Sequence, residues 1–278
     1  IAPIIENMQE QRAVVENWKE GHCLGVTAAG DVNIPFTFDG RRWKAGKQVE
    51  VTAEQKVSAY YPYNVQYTDM TAIPVDITTQ EDYMYGEGGV SVEKPSAVLV
   101  MKHALSLVRI LIKKNDYTGD GRVDAVTFGG VRLSASMDVT SGKLLPTGQP
   151  GEYKAGGNYT LDDASPVYVE AILMPVGTAE GITVNVHVDG RDFTYALPPT
   201  HVWNPGMIYA YTLNMKSGYN CEVDVDHVPM DEEYWSTFGK TDRIVMRDCG
   251  TDRIYIWPNY TFYGYDTLSL IHISEPTR

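Results

Sequence analysis

From about residue 21 onward, polar and apolar positions alternate with a period of two, in short runs bounded by Gly, Asn, Asp and Pro. That period places successive side chains on opposite faces of an extended strand, and β-branched and aromatic residues fill the runs, so the pattern predicts a chain built of strands. Val49, Val51 and Ala53 alternate with Gln48, Glu50 and Thr52, and Val57, Ala59 and Tyr61 continue the pattern to a stop at Pro62. The sharpest prediction is a hairpin over residues 182–197. Val184, Val186 and Val188 share one face, Asp189-Gly190 supplies a turn of positive φ, and Phe193, Tyr195 and Leu197 return on the same face. Thr183, Asn185 and His187 hold the other face, so a one-residue slip would exchange valines for polar groups and the register is strongly specified.

Residues 97–113 fit two periods. Val98, Met101, Leu105, Val108 and Ile112 have helical spacing, whereas Val108, Ile110 and Ile112 have strand spacing. The density of β-branched residues and the flanking Pro95 and Asn115-Asp116 favour one strand, and Leu105, Leu107 and Leu111 on its opposite face imply that it is covered on both sides. A helix is expected only near residues 4–18, where Ile4, Met8, Val14 and Trp18 are loosely periodic. Gly86, Gly88, Gly89 and Pro95 read as a linker. The expected division is therefore an N-terminal β-sandwich over 1–90 and a second over 91–235, with the start of a further element at 236–267. Residues 268–278 read like the in-frame translation of a sequencing adapter and are set aside from the fold.

Composition narrows the function. A hydrophobic content of 43% in 278 residues supports packed cores, and apolar runs such as 97–101 fall far short of the ~20 residues of a membrane-spanning helix. Lys and Arg number 23 against 36 Asp and Glu, and the resulting net charge of −13 disfavours nucleic acid and anionic lipid as partners. Cys23, Cys221 and Cys249 lie far apart, with neither a CxxC nor a His pair at zinc spacing. No GxSxG, HExxH, phosphate loop or strand-linked GxGxxG is present, so no catalytic residue, cofactor or metal ligand is assigned and no enzyme activity is expected. Asp116, Asp120 and Asp124 fall in one segment that could share a calcium ion, but the spacing of a calcium loop and its terminal Glu are missing, and a polar hairpin turn is the favoured reading. His103, in an apolar stretch, reads as a satisfied core histidine, and the acidic run Asp224, Asp226, Asp231, Glu232, Glu233 as a solvated face. Tyr60-Tyr61-Pro62-Tyr63, Tyr83-Met-Tyr85 and the aromatic stretch 255–263 could stack on sugars, although in strands such rings more often fill cores or interfaces.

Three phrases in order, Val57-Ser-Ala-Tyr-Tyr-Pro62, Met101-Lys-His-Ala-Leu-Ser-Leu-Val-Arg-Ile110 and Trp203-Asn-Pro-Gly-Met-Ile-Tyr-Ala-Tyr-Thr-Leu213, resemble the fimbrillin-like proteins of Bacteroidales over about residues 12–235. The resemblance implies an all-β chain of two transthyretin-like, Greek-key sandwiches in tandem, acting as a structural and adhesive subunit of a cell-surface pilus. It implies export as a lipoprotein to the outer membrane, trimming by an Arg-specific protease, and assembly with other pilin subunits by strand exchange. A host or bacterial surface ligand would be a further partner, and membrane contact would come only through a lipid anchor. Arg12-Ala13, ahead of the first confident strand, is the candidate processing site. A surface glycan-binding lipoprotein, using exposed aromatic rings, is the alternative reading.

Overall fold

A computed structural model of the chain describes residues 18–94, 97–162 and 167–216, together with main-chain strands at 222–229, 232–235, 240–249 and 254–259. The first strands are β1 (Cys23–Ala28), β2 (Asp31–Phe38), β3 (Trp43–Ala45), β4 (Gln55–Tyr61), β5 (Ile73–Asp76), β6 (Met84–Val90) and β7 (Val98–His103). There follow β8 (Ser106–Asp116), β9 (Arg122–Val131), β10 (Ser134–Met137), β11 (Leu144–Thr147), β12 (Gly151–Gly156), β13 (Tyr159–Thr160), β14 (Val167–Leu173), β15 (Thr183–Val188), β16 (Arg191–Ala196) and β17 (Met207–Lys216). The last strands are β18 (Glu222–Pro229), β19 (Glu232–Trp235), β20 (Lys240–Cys249) and β21 (Ile254–Asn259). Among the described residues the only helical element is a single 3-10 turn, Ile77–Thr79. The all-β class read from the alternation is the class the chain adopts.

The strands form four sheets. One runs β3-β2-β1-β4-β6-β7 and continues past β7 to β20, with β19 and β21 flanking it. Its apolar face collects Leu24, Val26, Phe36, Val57, Ala59, Met84, Leu99 and Met101 with Trp18 and Trp43. Two further sheets, β12-β9-β15-β16 (with β13 on β9) and β14-β8-β17-β18, face each other across the larger core. Val126, Phe128, Val184 and Val186 enter that core from one sheet and Val108, Ile110, Val169 and Tyr211 from the other. Alternation is what makes this possible, because each strand turns one set of side chains inward and leaves the intervening set for solvent. The fourth sheet, β5-β10-β11, brings β5, which lies between β4 and β6 in the chain, against β10 and β11, which follow β9. Tyr60, one residue from Ala59 and so on the opposite face of β4, is fully buried in the larger core, tying the first sheet to it.

The hairpin expected at 182–197 forms in the predicted register. Val184 pairs with Tyr195 and Val186 with Phe193, and Asp189 and Gly190 take φ of 49° and 73°. Val184, Val186 and Val188 are 1%, 1% and 0% exposed, each contributing roughly 1.5–3 kcal/mol by burial.

Four expectations are corrected. Residues 97–113 are two strands, not one. The chain breaks at Ala104-Leu105, where Ala104 N–H donates to the Tyr83 carbonyl and Gly206 N–H to that of Leu105. Before the break β7 pairs with β6; after it β8 lies between β14 and β17 and is covered on both sides as expected, with Val108 and Ile110 at 0% and Leu107 and Leu111 at 6% and 7%. Residues 48–53 form no strand: Val49 and Val51 pack on the first core without a neighbouring backbone to complete a ladder. The Gly86, Gly88 and Gly89 run is not a linker but part of β6, and Gly86 is required there because a Cβ would lie 2.7 Å from the Val100 carbonyl oxygen and 2.8 Å from Met101 Sδ. The segment after Asp116 is not a hairpin turn, since β8 and β9 belong to opposite sheets and the loop arches between them. The helix expected near residues 4–18 lies, except for Trp18, outside the described residues.

Candidate functional site

Among the described residues, the groups available for assembly are the main-chain edges of the sheets and the side chains packed around them. In an edge strand alternate residues direct N–H and C=O away from the sheet, which makes the edge a template for another strand. The strands β3, β5, β11, β12, β14, β16, β18 and β19 stand at sheet ends. At seven residues β14 is longer than all of these except β18. Val167, Val169, Ala171 and Leu173 point into the core, while Tyr168 is 38% exposed on the other face and Glu170 forms an ion pair with Arg109 of β8.

Trp18 is the first of the described residues. The ring is 5% exposed and packs edge-on against Trp43, at a centroid distance of 5.2 Å, and against Tyr61 at 5.4 Å. His22 stacks beside both Trp18 and Tyr61, and burial, followed by the charge of Lys19, lowers its pKa from the ordinary value. The neighbouring Cys23 is a free, half-buried thiol whose pKa burial pushes up, against the opposing bond from Thr37. The candidate processing site, Arg12 and Ala13, lies outside the described residues, a few positions ahead of this aromatic anchor.

The other residues singled out by sequence have structural roles. His103 Nδ1 sits 2.8 Å and 3.1 Å from the two carboxylate oxygens of Asp82, with both side chains buried, matching its reading as a satisfied core histidine. Tyr60 and Tyr83 are buried rather than displayed, and burial raises the pKa of each to about 12. The Tyr60 hydroxyl donates to Asn33 Oδ1 at 2.7 Å, and Asn33 in turn donates to the carbonyls of Asn64 and Tyr67, which fixes the loop after β4. Side chains of the acidic run 224–233 and the aromatic stretch 255–263 lie outside the described residues.

Asp120 and Asp124 belong to an arch that is held by a residue no calcium reading included. Asp189, from the tip of the β15–β16 hairpin, accepts hydrogen bonds from the Tyr117 hydroxyl, the Gly121 N–H and the Arg122 N–H, each at 2.8 Å. Burial works against its charge, but these donors outweigh it and hold its pKa below the usual carboxylate range. Among the described residues no group of three or more His, Cys, Asp or Glu converges as a metal site. The Asp-Gly dipeptide announced the turn; that its carboxylate would cap a loop 67–72 residues away has no local signal.

A further missed residue is Gln80. It ends the 3-10 turn in the left-handed conformation, and its carboxamide accepts from Ile172 N–H at 2.8 Å and donates to Ile172 C=O at 3.1 Å, on the outer edge of β14.

With this architecture in place, comparison with known proteins identifies the class. The model of the fimbrillin-like family matches residues 12–226, and the chain belongs to that family. Its fold is shared with a candidate cell adhesion protein from Bacteroides uniformis, at 19% identity and a TM-score of 0.65 over 77% of this chain and 94% of that one. A second, from Bacteroides ovatus, matches at 17% identity and a TM-score of 0.64 over 80% and 92% of the two chains. Among curated proteins none matches.

Proposed function

We propose that this chain is a structural and adhesive subunit of a cell-surface pilus, joined to other pilin subunits by an extended strand that one subunit donates to the next. The observation that carries the reading is the family match over residues 12–226 on a fold made almost wholly of strands with main-chain edges. Strand donation uses the edge hydrogen-bonding groups themselves, so it needs neither a catalytic side chain nor a cofactor. The same reading takes the chain as two tandem transthyretin-like sandwiches, over residues 1–90 and 91–235. Export as a lipoprotein and cleavage at Arg12-Ala13 complete it: cutting there would part whatever precedes Ala13 from the Trp18 anchor. The inward packing of Tyr60 and Tyr83 weighs against the glycan platform that their clustering suggested.

The test is mild trypsin treatment of the purified chain, followed by N-terminal sequencing, SDS gels without boiling and negative-stain microscopy. A new N-terminus at Ala13 with SDS-resistant ladders is expected. A chain cut at Ala13 that stays monomeric refutes strand donation as the mode of assembly.

A further inference from the structure

The contact between Gln80 and β14 has the geometry of strand pairing. In an antiparallel pair, residues directly opposite each other either exchange both of their hydrogen bonds or direct both away. Ile172 stands opposite Leu107 of β8, and its N–H and C=O both bond to Gln80, so its main chain points outward. Counting in twos along the strand, the main chains of Glu170 and Tyr168 point outward as well, and β14 pairs with no strand other than β8 among the described residues. A carboxamide presents one donor and one acceptor side by side, as a peptide group does, and Gln80 therefore occupies the slot of one residue of an additional strand.

What would otherwise fill that slot follows from symmetry. Two copies of β14 running antiparallel about a twofold axis centred on Glu170 would set Tyr168 of each copy opposite Ile172 of the other. All three outward residues would then be paired, and a twofold axis closes the contact at two chains. The opposed Glu170 side chains would each remain neutralised by Arg109 on the neighbouring strand. Because Ile172 lies at both ends of this three-residue ladder, a clasp on Ile172 blocks both ends at once and leaves only the central pair. Tyr168, 38% exposed, marks the lane along which the second copy would lie.

The geometry points to Gln80 as a guard: its carboxamide caps the β14 edge of the intact chain and keeps a second copy of the same chain from pairing there. The guard is independent of the pilus reading, since it acts before any trimming and fails or holds whatever trypsin does.

The test is light scattering after gel filtration of the full, untreated chain. Gln80→Ala is expected to double in mass relative to the parent as concentration rises, and adding Tyr168→Pro to return it to the parental mass. Proline at 168 removes an N–H that points away from β8, so it blocks the new edge without breaking the existing ladder. The proposal is overturned if Gln80→Ala keeps the parental mass with a parental circular dichroism spectrum, or if the doubled mass survives Tyr168→Pro. Should Gln80→Ala lose its fold, Gln80→Glu replaces it under the same two outcomes, because it preserves volume and the acceptor for Ile172 N–H but cannot donate to Ile172 C=O.

Discussion

Removing the Asp189 carboxylate tests how the sandwich is closed at one end. Asp189→Ala deletes three hydrogen bonds to a charged acceptor, from the Tyr117 hydroxyl and the amides of Gly121 and Arg122, each 2.8 Å long. It also leaves a residue without a polar side chain at a φ of 49°, a conformation Asp and Asn tolerate better than Ala. Hydrogen bonds to charged groups are worth roughly 1.5–3 kcal/mol each, but water can reach part of this loop and re-pair the freed donors, so the expected loss is about 2–3 kcal/mol in total. For a unit of this size that is a fall in Tm of roughly 4–12 °C by calorimetry. Asp189→Asn keeps an acceptor oxygen and the turn, and should lose about half as much. The pH dependence carries the same signature. Because the folded-state pKa of Asp189 is depressed, its contribution is present above the ordinary carboxylate pKa and is lost as pH falls through the folded value. The stability gap between the parent and Asp189→Asn should therefore be full at neutral pH and close in acid. If Asp189→Ala melts within about 1 °C of the parent, or the gap to Asp189→Asn does not change with pH, the arch is not held by this carboxylate.

Two other substitutions probe the larger core and its rim. Tyr211→Phe conserves volume but strands the Trp203 indole N–H, which donates to the Tyr211 hydroxyl at 2.9 Å with both rings about 1% exposed; a loss of about 1–3 kcal/mol is expected by urea denaturation, and less than additive loss when Trp203→Phe is combined with it. Gly130→Ala places a Cβ 2.1 Å from the Gly181 carbonyl oxygen at a φ of 73°, so it should cost upwards of about 1–2 kcal/mol and show as a lowered urea midpoint; a neutral result would mean that the Gly130–Gly181 approach relaxes freely.

Much of this molecule is decided by local chemistry that can be read along the chain. Alternation by twos makes Val184, Val186 and Val188 an inward face whatever they pack against, and Asp189-Gly190 bends the chain because few other dipeptides accept two positive φ angles. The burial of β8 on both faces was visible for the same reason, since Leu107 and Leu111 put apolar side chains on the face opposite Val108 and Ile110. Pairing partners were not visible. Whether residues 97–113 form one strand or two depends on Tyr83 and Gly206, which grip the chain at Ala104-Leu105 from distant parts of the sequence. The glycines of β6 look like a linker until Val100 and Met101 are seen pressed against Gly86. Asp189 on the arch and Gln80 on the β14 edge are side chains whose partners lie 67–72 and 92 residues away. A short-range pattern fixes which way a side chain faces, because that depends only on backbone period; which group it meets depends on how the sheets stack, and only the tertiary structure decides that.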